Sequence, residues 1–214
     1  MLKYDHFIFD FDGTLSDSYP AFVKAARLIA DKYGVPSSDE QIYRLLKKYS
    51  TVYLFDTLGF GKHRDAAYSE FRRLSEELLR TEAMALEGAE ELLRFISENG
   101  GKSYVYSHSG SIVVQNVRRW GFEKYFVDYM LGDTRYPRKP APDALLALMN
   151  KQGADPHKCV MIGDRDIDIL AGKNAKISGI LIDDGGYYPE LEVEYRVSNL
   201  SQIKFLLGAF PVPD

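Results

Sequence analysis

The sequence predicts an α/β protein: a doubly wound parallel-sheet core with an all-α domain inserted after the first strand. Three observations point there. Apolar runs of strand length recur along the chain, amphipathic helical stripes separate them, and the stretch from about residue 17 to residue 84 carries helix signals only. Strands alternating with helices imply parallel pairing, because each parallel connection needs a crossover and both sheet faces are then covered.

The first strand is the run HFIF (6–9) before Asp10. The helical insert follows. Phe22, Ala25, Ala26, Ile29 and Tyr33 form one stripe ended by Gly34, and Ser38 with Gln41 has capping-box spacing before Ile42, Leu45, Leu46 and Tyr49. Ala67, Phe71, Leu74 and Leu78 form a third stripe. The core is thus expected to comprise residues 1–16 and 85–214 and the helical domain residues 17–84. After the insert, Ala89, Leu92, Leu93 and Ile96 mark a helix, SYVY (103–106) a strand before Ser107, and VDYMLG (127–132) a weaker strand. Ala141, Leu145, Leu148 and Met149 mark another helix, followed by the strands CVMI before Gly163 and GILI before Asp183. Gly100, Gly121 and Gly153 each stand where a left-handed cap residue ends a helix.

Composition narrows the function classes. The chain has 214 residues, a net charge of −4, 45% apolar and 27% charged residues, so no basic field draws it to nucleic acid or to acidic membrane surfaces. No uncharged apolar stretch approaches the roughly 20 residues that span a bilayer. MLKYDHFIFD enters a strand pattern directly, and no leader segment is expected. The one cysteine, Cys159, lies in an apolar run and reads as a core thiol. A cytoplasmic protein, monomer or homodimer, is expected.

In an open parallel sheet, ligands bind outside the carboxyl ends of the strands, so the polar residues that follow each apolar run are the candidates. They are Asp10 and Asp12, Ser107, and Gly163-Asp164 with Asp168; Lys139 in RKPAPD precedes a helix and can reach the same rim. Two carboxylates ending a buried strand repel each other and lose hydration, which calls for a cation. Several carboxylates, a hydroxyl and an ammonium suit a hard divalent cation and a phosphate better than zinc, which prefers His or Cys. A carboxylate nucleophile can divide phosphate-ester hydrolysis into two steps, and a second carboxyl two residues on can carry the proton. Gly13 permits a tight turn that aims backbone N–H groups at the phosphate.

DFDGTLSDS (10–18), Ser107 in YVYSHSG, Lys139 in RKPAPD and GDRDIDILA (163–171) resemble, in order and spacing, the four motifs of the haloacid dehalogenase superfamily. The helical insert between the first and second motifs is similar to that of the phosphoglycolate phosphatase and β-phosphoglucomutase branch. The resemblance implies a Rossmann-like core and a helical cap. It also implies a magnesium-dependent phosphatase of a small phosphorylated metabolite, with Asp10 as nucleophile and Asp12 as general acid/base. Ser107 and Lys139 take the phosphate-holding positions, joined by Gly13 and by the backbone N–H of His108. Magnesium falls to Asp10, Asp12 through its carbonyl, Asp164 and, through water or by orienting neighbours, Asp168. Dehalogenation is not expected, since dehalogenating members lack the second Asp. Glu87-Gly88 stands where the family often has Pro-Gly.

Two other functions share these motifs: a phosphosugar mutase of the β-phosphoglucomutase kind, and a non-catalytic phosphometabolite-binding protein. Asp166 reads as a helix-start charge and Arg138 as solvent-facing. In the insert, Arg44, Lys47, Lys48, Tyr49, Tyr53, Phe55, Phe60, Lys62, His63 and Arg64 interleave aromatic with basic residues. Either they close over an anionic ester, or Tyr49, Phe55 and Phe60 pack the insert while the charges are solvated.

Overall fold

A computed structural model describes residues 2–132 and 135–208. The chain divides into two compact units, one formed by residues 1–16 and 85–214, the other by residues 17–84.

The first unit is built on a six-stranded sheet: β1 (His6–Phe9), β4 (Lys102–Ser107), β5 (Phe126–Leu131), β6 (Cys159–Gly163), β7 (Ser178–Ile182) and β8 (Tyr195–Val197). Its order is β5-β4-β1-β6-β7-β8, and every adjacent pair is parallel. The central strands are buried on both faces, which is why they read as continuous apolar runs rather than alternating ones. Odd and even positions serve different layers. Phe7, Phe9, Val105, Val160, Ile162 and Ile180 pack with α5 (Ala89–Glu98), α6 (Ile112–Arg119) and α9 (Leu200–Gly208). Ile8, Tyr104, Tyr106 and Met161 pack on the other face with α7 (Asp143–Gln152). Burying each such Phe, Ile or Leu contributes about 1.5–3 kcal/mol. α8 (Asp166–Asn174) follows β6 and lays Ile169 against Leu181.

The second unit is helical: α1 (Tyr19–Lys32), α2 (Asp39–Lys48), α3 (Thr51–Thr57) and α4 (Arg64–Thr81). The chain leaves and re-enters the core through two short segments, β2 (Ser16–Asp17) and β3 (Met84–Ala85), that pair as a two-stranded ribbon. Among the described residues no helix is long and apolar enough to cross a membrane.

Several sequence expectations need correction. Tyr49 does not extend the α2 stripe: the helix ends at Lys48, and Tyr49 is 43% exposed. Ala141 precedes α7, and Ala144 takes its place on the buried face. β8 carries no strand signal in the sequence because it is three residues long, YRV, with Arg196 in the middle. Gly34, Gly100, Gly121 and Gly153 all take positive φ at helix ends. Ser38 caps α2 by accepting the Gln41 N–H at 3.1 Å.

Candidate active site

The adjacency of β4, β1 and β6 at the sheet centre brings their C-terminal ends together. Phe9 is in register with Val105 and with Ile162, and the Asp10 N–H donates to the Ile162 carbonyl at 2.8 Å. The residues that leave these strands, Asp10, Ser107 and Asp164, are all buried.

Lys139 organises the cluster from the loop ahead of α7. Its ammonium has three N–H bonds and three oxygen acceptors: Asp10 Oδ1 at 2.7 Å, Asp168 Oδ1 at 2.7 Å and the Tyr106 carbonyl at 2.9 Å. The Tyr106 ring lies 4.6 Å from the same nitrogen. Burial alone would lower the Lys139 pKa, but the charges of Asp10 and Asp168 outweigh it and hold the ammonium above its ordinary range. A phosphoryl oxygen reaches this ammonium only by sharing or displacing one of the three acceptors.

Asp168 is held at both oxygens. Oδ1 meets Lys139, and Oδ2 accepts the Arg165 N–H at 3.1 Å at the start of α8. Gly163 makes room for it: a Cβ there would stand 2.3 Å from the Asp168 Cβ, so no larger residue fits. Asp166 is the helix-start charge and accepts the Ile167 N–H at 2.8 Å. Arg138 is exposed.

Carboxylate oxygens of Asp10, Asp164 and Asp168 all lie within 4.8 Å of one another. Burial, then the facing charges of Asp168 and Asp164, push the Asp10 carboxyl well above the usual range against the pull of Lys139. This buried, all-oxygen, negatively charged donor set fits a hard divalent cation.

Around this cluster the other candidates take distinct places. Asp12 turns its carboxylate to Ser109, whose hydroxyl donates to Asp12 Oδ2 at 2.6 Å. The Ser107 hydroxyl oxygen accepts the Ser109 N–H at 3.0 Å, which leaves the Ser107 O–H to donate elsewhere. Gly13 has φ of 78° and makes the turn, but its N–H donates to the Ser16 carbonyl at 2.8 Å. The contribution of Gly13 seen here is the turn itself. His108 directs its imidazole Nε2 to the backbone N–H of Lys139 at 3.0 Å.

Two site residues went unassigned in the sequence. Thr14, fully buried, points its hydroxyl at Asp164 Oδ1 at 3.4 Å, and Ser109 grips Asp12. Both stand inside runs already singled out, DGT and SHSG, but a hydroxyl after a strand is ordinary turn chemistry until its partner is known.

The model of the haloacid dehalogenase-like hydrolases matches residues 7–182. The chain belongs to that family. Hexitol phosphatase A of Escherichia coli (strain K12) is 30% identical over 201 residues, covering 92% of this chain and 92% of that protein. A phosphoglycolate phosphatase of Vibrio parahaemolyticus is 31% identical over 178 residues, covering 78% of each. Among solved structures, a haloacid dehalogenase-like family hydrolase of Streptococcus pneumoniae superposes with a TM-score of 0.84, covering 95% of this chain and 98% of that one. At 18% identity that likeness concerns the fold alone. As a family member the chain is a hydrolase with the parallel α/β core of its relatives.

Proposed function

We propose that this protein is a magnesium-dependent phosphatase of a small phosphorylated metabolite, working through an aspartyl-phosphate on Asp10. The observation that carries the reading is the convergence of Asp10, Asp164 and Asp168 at one point of the sheet edge, with Lys139 bonded to two of them. The named relatives, a hexitol phosphatase and a phosphoglycolate phosphatase, support the substrate class.

Asp10, whose Oδ1 is held by Lys139, attacks phosphorus through a carboxylate oxygen. The ester P–O bond breaks, and Asp12 gives its proton to the leaving alkoxide. Asp12, now ionised, takes a proton from water as that water attacks phosphorus, freeing phosphate and Asp10. Ser107 and Lys139, with the backbone N–H of His108, bind the phosphoryl oxygens. Magnesium held by Asp10, the Asp12 carbonyl and Asp164, with Asp168 behind them, would neutralise charge on the phosphoryl group. Ser109 sets the direction of the Asp12 carboxyl.

The test is a panel of phosphate monoesters, among them hexitol phosphates, phosphoglycolate and a hexose 1-phosphate, read as released phosphate with magnesium and with a chelator. Release that needs magnesium and disappears in Asp10→Asn is the expected result. Conversion of the hexose 1-phosphate to a 6-phosphate without release would replace hydrolysis by mutase chemistry. Undiminished release by Asp10→Asn would overturn the mechanism.

A further inference from the structure

Lys139 must hold its ammonium on Asp10 although it lies in a loop with no regular secondary structure, between β5 and α7. A lysine has four rotatable side-chain bonds, so its charge stays in place only if its backbone is fixed as well. Two side chains from other elements fix that backbone. Asn174, at the end of α8, donates through Nδ2 to the Pro140 carbonyl at 2.9 Å. His108, immediately after β4, accepts the Lys139 N–H on Nε2 at 3.0 Å. The same end of β4 provides the Tyr106 carbonyl and ring to the Lys139 ammonium, so one strand terminus grips the lysine at both its root and its tip.

We propose that the His108 imidazole is a positioning residue of the proposed phosphatase reaction, acting as the acceptor that fixes the Lys139 backbone so that its ammonium meets Asp10. The chemistry dictates the tautomer. A backbone N–H only donates, so Nε2 carries the lone pair and the ring proton sits on Nδ1. Burial, with Lys139, Arg138 and Arg165 nearby, holds the His108 pKa down at about 3, which keeps Nε2 an acceptor at neutral pH. This is distinct from the backbone N–H of His108, which the proposed function gives to phosphate and which no side-chain substitution removes.

The inference rests on the phosphatase reading for its kinetic arm only. Glutamine can present its side-chain oxygen where Nε2 stands, asparagine is too short, and methionine has the length without a comparable acceptor. With p-nitrophenyl phosphate and magnesium, His108→Met and His108→Asn are expected to lower kcat about tenfold, the worth of one positioned hydrogen bond, with little change in KM. His108→Gln is expected to recover most of that loss. Equal kcat in wild type, Met and Gln variants, or equal damage in Gln and Met, would overturn the proposal. The second arm needs no substrate and no variant: nitrogen-15 NMR of the wild-type protein should find His108 protonated on Nδ1 and the Lys139 amide protected from exchange. A proton on Nε2, or a rapidly exchanging Lys139 amide, would sink the positioning role even in an active enzyme. If the wild-type protein turns over no ester at all, the phosphatase reading fails, and the NMR arm still decides the role of His108.

Discussion

Charge is handled in opposite ways in the core unit and in the helical unit. At the sheet edge, Lys139 and Asp168 are almost wholly buried and bonded to each other, with Asp10 completing the set. In the helical unit, Lys24–Glu82, Lys32–Glu70, Arg44–Glu40 and Arg64–Asp56 lie on the surface. Its interior is apolar: Phe55 packs against Phe60, Tyr68 and Phe71 at centroid distances of 4.9–5.5 Å, and Ile42, Leu46 and Leu54 are buried with them. One cation departs from this pattern. Lys47 is buried, with its ammonium 4.8 Å from the Tyr19 ring. The contrast teaches that the site's charges depend on one another for their presence in the core, whereas most charges of the helical unit can change without disturbing its packing.

The largest expected effect is on turnover. Asp10→Asn keeps a side chain of the same shape but removes the nucleophile, and phosphate release should fall by roughly 10⁴-fold or more, measured with the fold checked by circular dichroism. Lys139→Met tests the contrast in stability. It leaves Asp10 and Asp168 without their shared cation, and denaturant unfolding should record a loss of about 3–5 kcal/mol. Lys24→Met in the helical unit should change stability by only about 0.2–1 kcal/mol in the same experiment. Equal losses in the two variants would break the contrast. Lys47→Met sharpens it: replacing a buried cation that lies over a ring should cost about 1–2 kcal/mol, above the surface pair and below the core cluster.

Ser109→Ala should lower kcat about tenfold with KM little changed, because it releases the Asp12 carboxyl without removing it. The last effect is spread over pH. His108 binds a proton near pH 6.5 when unfolded but only near pH 3 in the fold, mainly because it is buried and then because Lys139, Arg138 and Arg165 surround it. The unfolded state therefore takes up the proton first. This contribution to stability is complete above pH 6.5 and is lost as pH falls toward 3, by at most about 1.4 kcal/mol per pH unit. In unfolding curves measured across that range, wild type should lose stability relative to His108→Gln as the pH drops.

Much of the fold was legible because buried parallel strands leave an unmistakable trace: HFIF, SYVY, CVMI and GILI are continuous apolar runs ending in polar residues. Tyr195–Val197 left no such trace, since three residues at the sheet edge carry almost no periodicity. In the helical unit, the alternative of aromatic packing holds for Phe55 and Phe60, while Tyr49 at 43% exposure escapes it. Solvation describes Arg44, Lys48, Lys62 and His63, and fails for Lys47.

Local order along the chain was enough to identify the kinds of residue at the site, because apolar runs deliver Asp10, Ser107 and Asp164 to strand ends whatever the neighbours are. What depended on the folded molecule was partnership. The three oxygens around the Lys139 ammonium come from residues 10, 106 and 168, the Asp12 carboxyl is gripped by residue 109, and the Lys139 backbone by residue 108. Likewise the Gly13 N–H finds its partner, the Ser16 carbonyl, only once the turn closes. Hydrogen bonds act over about 3 Å and between groups far apart in sequence, so the residue types follow from local pattern while their pairing follows from the sheet order that sets β4, β1 and β6 side by side.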